Sequence, residues 1–193
     1  LTPGFQVYFF KTKTLGSCND KYFSKIIDKI EKSKNSIIII GGLYSLYFDN
    51  YFIYKKNNKI VKKKTDLKFI NSGRYKSLQD SFLETVKMFA KNNKVILIYP
   101  IPEVGYDVKN KLLQKIIRIK NYTKLKTTEY VTVEYDFYLN REKKVFNSFN
   151  KLRNENIFRI YPHKLLCDTL ISKKCVTHDN KSVYYHDGYH LSN

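Results

Sequence analysis

The apolar residues of this chain follow two alternating spacings, which predict strands and helices in turn. Nearly continuous apolar runs predict strands at residues 5–10, 36–40, 94–99 and 156–161, with a further short strand at 182–185. Apolar residues three and four positions apart predict helices at residues 20–32, 77–91, 109–119 and 134–152. The run at 36–40 (SIIII) is expected to be buried on both faces, and Asn19 is expected to cap the first helix.

One stretch interrupts this alternation. Residues 49–73 are irregular, basic and aromatic, and they predict an excursion outside the core. Within it, lysines at 55–56 and 62–64 surround Asn57 and Asn58, a pattern typical of a hairpin tip guarded by charges.

The order of strands and helices favours a single α/β domain over residues 1–193. Strands that alternate with helices predict a three-layer α/β/α sandwich with a parallel sheet, of the flavodoxin-like kind. Such sheets bind ligands at the carboxyl ends of their strands. Here those ends are Gly41 and Gly42, residues 100–105, and the segment from Pro162 onward.

Composition excludes some classes of protein. Hydrophobic residues make up 42% of the 193 residues, which argues against disorder. The longest apolar run, residues 37–44, is much shorter than the roughly 20 residues that cross a membrane. The net charge of +19 comes from 31 lysines and 5 arginines spread over the chain. This spread favours a solvated surface over a nucleic-acid site, although a positive surface would attract an acidic glycan.

The carboxyl-terminal segment holds the strongest candidates for chemistry. Asp187 and His190 lie three residues apart, so the carboxylate reaches the imidazole if the segment turns. The carboxylate would fix the tautomer of the ring, whose other nitrogen could then take a proton from a nucleophile. By spacing alone, a surface Asp-x-x-His pair without function is the favoured interpretation, because such pairs are common.

The cysteines leave two interpretations open. Cys167 and Cys175 would form either a disulfide, which implies an oxidising compartment, or two reduced thiols in a cytosolic loop. Cys18 lies before the first helix and would need a partner base to act as a nucleophile. The spacing of cysteines and histidines matches no metal site, so no metal is expected.

Several segments resemble, in chain order, the SGNH domain that follows a membrane acyltransferase-3 domain in bacterial O-acetyltransferases. The last one, SVYYHDGYHLS at 182–192, resembles the family's Tyr-x-Asp-x-x-His-Leu-Ser. The others are Ser17-Cys18, IIIGGLYSLY at 38–47, VILIYPIPEVGYDV at 95–108, and the Leu-Cys…Cys loop at 165–175. Two departures stand out: the family's Gly-Asp-Ser-His motif is absent, and Leu43 and Tyr44 replace its Arg and Trp.

The resemblance implies a site. Asp187 and His190 would be the acid and base of a Ser-His-Asp triad, and Cys167–Cys175 a structural disulfide. The nucleophilic Ser and the first strand of the sheet would belong to an N-terminal segment missing from this sequence. This chain by itself is therefore expected to be inactive. The backbone amides of Gly41 and Gly42 suit an oxyanion hole, although two glycines after a strand also fit a plain turn. Glu103 and Asp107 are expected to shape a loop.

The resemblance also implies a function. The domain would transfer acyl groups to sugars of surface polysaccharide, lipopolysaccharide or peptidoglycan, on the periplasmic face of the inner membrane. It would bind no cofactor itself, because an N-terminal membrane domain would deliver the acyl group from an acetyl-CoA-like donor. Its partners would be this membrane domain and a glycan acceptor, without nucleic acid. A secreted esterase and a non-catalytic glycan-binding module remain the alternatives.

Overall fold

A computed structural model describes residues 20–56, 59–65, 76–119 and 130–192. The chain divides into two compact units, each assembled from separate stretches of sequence. The first unit comprises residues 1–50, 64–98 and 144–160, and the second comprises residues 51–63, 99–143 and 161–193. The predicted strand at 5–10, the cap at Asn19 and the thiol of Cys18 lie outside the described residues.

The first unit contains a parallel three-stranded sheet. Its strands are β1 (Ile37–Ile40), β4 (Lys94–Ile98) and β6 (Ile157–Ile160), and β4 lies in the middle. Ile38 pairs with Val95, which in turn pairs with Ile157. A parallel sheet flanked by helices confirms the predicted α/β sandwich class.

Helices precede and follow the first strand of this sheet. Three of them are α1 (Asp20–Lys32), α2 (Tyr44–Asp49) and α3 (Leu78–Phe89). Ser77 caps α3, since its hydroxyl accepts a hydrogen bond from the Asp80 amide at 3.1 Å. The short helix α2 was not predicted, because six residues are too few to show a helical period. Aromatic rings hold it in the core: Tyr44, Phe48, Phe82 and Phe149 contact one another.

The prediction that β1 is buried on both faces is wrong. Ile37 and Ile39 are 65% and 64% exposed. They lie on the same sheet face as Phe158 and Ile160, which are both 48% exposed. The opposite face carries Val95, which is fully buried. The continuous isoleucine run hides this difference, because every position is apolar and only packing distinguishes the two faces.

The second unit begins with an antiparallel hairpin, formed by β2 (Tyr51–Lys56) and β3 (Lys59–Lys64), the last residue of which falls in the first unit. The predicted hairpin is thus confirmed, so this part of the stretch at 49–73, which was predicted to be irregular, is regular. Residues 57–58 and 66–73 lie outside the described residues. The strands were hard to recognise because lysines occupy both of their faces. A second antiparallel pair joins β5 (Thr132–Glu134) to β7 (Lys174–Val176).

The remaining helices are α4 (Val108–Ile119), α5 (Tyr135–Phe149) and α6 (His163–Leu166). The first two agree with the predicted helices within a few residues at their ends, and α5 contributes residues to both units. The predicted strand at 182–185 is wrong: Val183 and Tyr185 form only isolated bridges, to His178 and Leu191. Throughout the part of the chain that the structure describes, every helix is too short or too polar to cross a membrane.

Candidate active site

The end of the second unit forms a turn that joins Asp187 to His190. The Oδ2 atom of Asp187 lies 2.8 Å from the Nδ1 atom of His190. Because an ionised carboxylate only accepts hydrogen bonds, Nδ1 carries the proton and donates a hydrogen bond to Asp187. The neutral imidazole then keeps an unprotonated Nε2, as a general base requires. The turn therefore brings together the two residues that the sequence predicts as a dyad.

The second carboxylate oxygen of Asp187 organises the backbone of the same turn. Its Oδ1 atom accepts hydrogen bonds from the amide of Tyr189 at 2.7 Å and from the amide of His190 at 2.9 Å. One oxygen thus holds the backbone while the other orients the ring. This division of work keeps both the position and the tautomer of His190 defined.

These hydrogen bonds determine the charge of Asp187. Burial acts to raise the pKa of its carboxyl group, but hydrogen bonds from the His190 ring and from two backbone amides lower it below the ordinary value of 3.8. Asp187 is therefore ionised at neutral pH and stabilises an imidazolium at His190. The His190 side chain is 74% exposed, so the Nε2 edge of the ring is open to an incoming group.

Gly188 seats this turn against the loop that follows β4. The amide of Val104 donates to the carbonyl of Gly188 at 2.9 Å. A Cβ atom added at Gly188 would lie 2.9 Å from the carbonyl oxygen of Tyr106 and 3.1 Å from its nitrogen. Glycine is required at this position because two backbones approach more closely than a side chain permits.

Tyr189 connects the same turn to the hairpin. Its hydroxyl donates to the carbonyl of Ile53, and its ring meets the edge of Phe52 with 6.1 Å between the centroids. This contact was not predicted. No local signal could have found it, since Tyr189 and Ile53 are 136 residues apart in the chain.

A buried ion pair between Arg141 and Glu103 also holds the hairpin in place. Arg141 donates to Glu103 from Nε at 3.1 Å and from Nη2 at 3.4 Å, and both side chains are at most 2% exposed. Nη2 also donates to the carbonyl of Tyr51 at 3.0 Å, and the guanidinium stacks over the Tyr51 ring at 4.2 Å. Glu103 is a positioning residue of the loop, in agreement with the prediction.

Asp107 has a related structural task at the start of α4. Its Oδ1 atom accepts from the amide of Asn110 at 2.9 Å, and its Oδ2 atom accepts from the Asn110 side chain at the same distance. Asp107 therefore caps the helix, as the prediction of a loop-shaping residue implies.

The glycines suggested for the oxyanion hole lie in the first unit, directly after β1. A Cβ atom added at Gly41 would make an ordinary contact of 3.6 Å with the Ile98 side chain, and one at Gly42 would meet nothing within 4 Å. Steric demand therefore does not explain these two glycines. Their role as oxyanion donors stays a prediction.

Two candidate cysteines and one buried histidine have structural roles. Cys167 and Cys175 form a disulfide, which links the end of α6 to β7. His178 is fully buried; its Nε2 atom accepts from the Val131 amide at 3.0 Å and its Nδ1 atom donates to the Asp179 carbonyl at 3.1 Å. Among the described residues, no group of three or more His, Cys, Asp or Glu side chains is placed to bind a metal ion.

Comparison with known proteins gives one result. A family model described as "SGNH domain (fused to AT3 domains)" matches residues 2–193, which is nearly the whole chain. No curated protein and no solved structure matches the chain significantly.

Proposed function

This chain belongs to the family of SGNH domains that are fused to AT3 domains, and on that premise we propose that it is the SGNH module of an envelope O-acyltransferase. Its reaction moves an acyl group onto a hydroxyl of a surface polysaccharide, a lipopolysaccharide or a peptidoglycan sugar. The observation that carries this proposal is the 2.8 Å contact between Asp187 Oδ2 and His190 Nδ1.

The dyad suits acyl transfer by an acyl-enzyme route. His190 Nε2 takes the hydroxyl proton of a serine while the serine oxygen bonds to the acyl carbon of the donor. The protonated ring then gives this proton to the leaving group of the donor. In the second half, His190 deprotonates the sugar hydroxyl as its oxygen attacks the acyl carbon. The bond from the acyl carbon to the serine oxygen breaks, and the imidazolium returns the proton to that oxygen. Asp187 stabilises the imidazolium formed in each half.

The serine itself is part of the proposal. SGNH domains of this type carry it in a Gly-Asp-Ser-His motif, and the sequence given has no such motif. We place the nucleophile in a segment outside this sequence, and we expect this chain alone to be inactive. We assign this role to none of the serines in the described residues.

A membrane acyltransferase domain is the proposed partner. It would receive the acyl group from an acetyl-CoA-like donor and pass it outward to this module, which itself binds no cofactor. The Cys167–Cys175 disulfide favours the periplasmic side of the inner membrane, because disulfides persist in oxidising compartments.

One observation supports hydrolysis as a second candidate. The His190 side chain is 74% exposed, so water can reach the acyl-enzyme as readily as a sugar can. An esterase of the same fold would use the same dyad and release the free acid. The two activities differ only in the group that attacks the acyl-enzyme.

The test compares the intact protein with its His190→Ala and Leu191→Ala variants. We measure acyl groups on the glycan and free acid in solution with the same labelled donor. Loss of acylated glycan with His190→Ala, but not with Leu191→Ala on the same turn, supports the transferase. Free acid without acylated glycan in the unmodified protein supports the esterase. Unchanged transfer by His190→Ala removes the dyad from the mechanism.

A further inference from the structure

Strands β2 and β3 and helix α4 each contain several basic residues and no acidic one. Hairpin strands β2 and β3 together contain six lysines and no acidic residue. Helix α4 contains three lysines and one arginine, again without an acidic residue. In contrast, α1, α3 and α5 each mix acidic with basic side chains. A uniformly lysine-rich composition alone does not produce this segregation.

The hairpin lies beside the dyad turn. Tyr189, between the two dyad residues, donates its hydroxyl hydrogen bond to the carbonyl of Ile53 in β2. The amide of Lys55 donates to the carbonyl of Gly105 at 2.7 Å, and the Lys55 ammonium lies 4.8 Å from the centre of the Tyr106 ring. The loop containing Gly105 and Tyr106 also contacts Gly188. The cationic hairpin is therefore held against the turn by contacts on both sides.

Helix α4 reaches the same turn from its amino-terminal end. The Nζ atom of Lys109 lies 3.0 Å from Nδ1 of His186, and the His186 amide donates to the carbonyl of His190 at 2.8 Å. Lys109 and Lys111 are both exposed. Lysines from two different elements therefore border the dyad turn.

Lys55 has both acidic and basic neighbours. Burial, the largest effect, lowers the pKa of its ammonium; the charge of Glu134 raises it, and the like charges of Lys111 and Lys174 lower it. Like charges held near one another repel, so an anion placed among them gains binding energy from relief of that repulsion.

We propose that this surface, the cationic face, selects an acceptor glycan that carries carboxylate or phosphate groups. We define the cationic face by Lys55, Lys62, Lys109 and Lys111. Lys62 packs over the Tyr51 ring, and Tyr51 and Lys55 lie four residues apart in β2, so Lys55 and Lys62 are on the same side of the hairpin. This inference rests on the proposed function, because it makes the cationic face the place where the acceptor chain lies while one of its hydroxyls reaches His190. The glycan's negative groups pair with lysines on either side of the turn.

The shape of the surroundings fits an extended chain rather than an enclosed small molecule. The cavity between the hairpin and the loop, lined by Ile53, Val104, Val133 and Phe137 among others, measures about 40 Å³. This volume has room for about one water molecule and excludes a sugar ring. The exposed lysines, in contrast, form an open surface along which successive acidic sugars can bind.

The test measures binding separately from acyl transfer. Polygalacturonate, an acidic glycan, and dextran, a neutral one, are embedded in native gels, and the retardation of the intact protein is measured at several salt concentrations. The first variant is Lys62→Gln/Lys109→Gln/Lys111→Gln, which removes three exposed charges of the cationic face. The matched control is Lys34→Gln/Lys91→Gln/Lys94→Gln, which removes the same charge from exposed positions of the first unit.

We expect polygalacturonate but not dextran to retard the protein. The first variant should bind at least about tenfold more weakly, with a shallower salt dependence by roughly one unit of log–log slope per lost contact. The control should change binding less than about twofold. Lys→Arg changes at positions 62, 109 and 111, in place of the Gln changes, should keep binding close to that of the unmodified protein. Equal weakening by both triple variants would overturn the proposal, since net charge alone would then explain binding.

Two further outcomes distinguish anionic-glycan recognition from lipid binding and from the proposed function. Sedimentation with phosphatidylglycerol vesicles that depends on these lysines, without retention by polygalacturonate, would overturn it in favour of a lipid surface. Selective retention that persists while His190→Ala leaves acyl transfer unchanged would support anionic glycan recognition and contradict the proposed function. The two proposals therefore fail on different measurements.

Discussion

Gly188 packs against the backbone of Tyr106 so closely that a methyl group there would lie 2.9 Å from the Tyr106 carbonyl oxygen. The neighbouring atoms are backbone, so they cannot rotate away as a flexible side chain would. This contact places the dyad turn on the loop that follows β4. The register of the turn therefore depends on the absence of one side chain.

Gly188→Ala should displace the turn, and the resulting loss of acyl transfer should exceed the loss that follows from lower stability alone. We expect a loss of about 1–3 kcal/mol in the free energy of unfolding, because the overpacked backbone must shift. Acyl transfer should fall by more than this loss of folded protein explains. Urea unfolding and transfer rates of the intact protein measure the two effects. Wild-type activity in a folded Gly188→Ala protein would contradict a role of this contact in positioning His190.

Asp187→Asn should impair catalysis without dissolving the turn. The asparagine oxygen can still accept from the amides of Tyr189 and His190, whereas its NH₂ group faces Nδ1 of His190 and favours the wrong tautomer. We expect transfer to fall about 10³–10⁴-fold with little change in stability. The nitrogen chemical shifts of the His190 ring report the tautomer. An unchanged tautomer together with an unchanged rate would exclude the proposed role of Asp187.

Arg141→Met should be strongly destabilising, because it leaves the carboxylate of Glu103 buried without its guanidinium. We expect a loss of about 3–5 kcal/mol in the free energy of unfolding. Replacing both partners, as in Glu103→Leu/Arg141→Met, should cost less than the single change. Denaturant unfolding of the two single variants and the double variant completes the cycle. Additive losses would show that the pair does not couple the hairpin to the loop.

Acid should weaken the second unit through His178. Burial, the largest effect, lowers the pKa of this ring below its ordinary value of 6.5, because the charged form loses its hydration. In addition, Nε2 accepts a hydrogen bond from the Val131 amide, which it can do only while it is unprotonated. The nearby Lys115 also lowers the pKa, while the carbonyl and the charge of Asp179 raise it. The unfolded chain therefore binds the proton more readily than the folded one. Stability should decline as the pH falls below 6.5, and the decline should be complete below the folded-state pKa.

His178→Gln is the matched control for this pH dependence. Glutamine keeps an acceptor for the Val131 amide but does not titrate, so the decline between neutral and acidic pH should become smaller. Urea unfolding of both proteins at a series of pH values measures the difference. Identical pH profiles would show that another group causes the acid sensitivity.

Most helices and strands follow from the sequence because their signals are local. The apolar spacing in α1 and the unbroken apolar run in β4 lie within a few turns of chain, so each segment indicates its own structure. The Asp187–His190 pair was predictable for the same reason, since three residues separate the two side chains. The hairpin was only partly recognised, because charged side chains on both faces hide the two-residue alternation of its strands.

The contacts between distant segments were decided by the tertiary structure. Glu103 and Arg141 are 38 residues apart, and Tyr189 and Ile53 are 136 apart, so neither spacing nor periodicity could pair them. The exposed face of β1 was also invisible, because burial depends on what packs against a strand and not on the strand itself. The sequence by itself determined most of the long helices and core strands and the dyad, since these arise from short-range geometry. Only the fold decided that the basic hairpin and α4 border the dyad, because chain folding alone brings remote residues into contact.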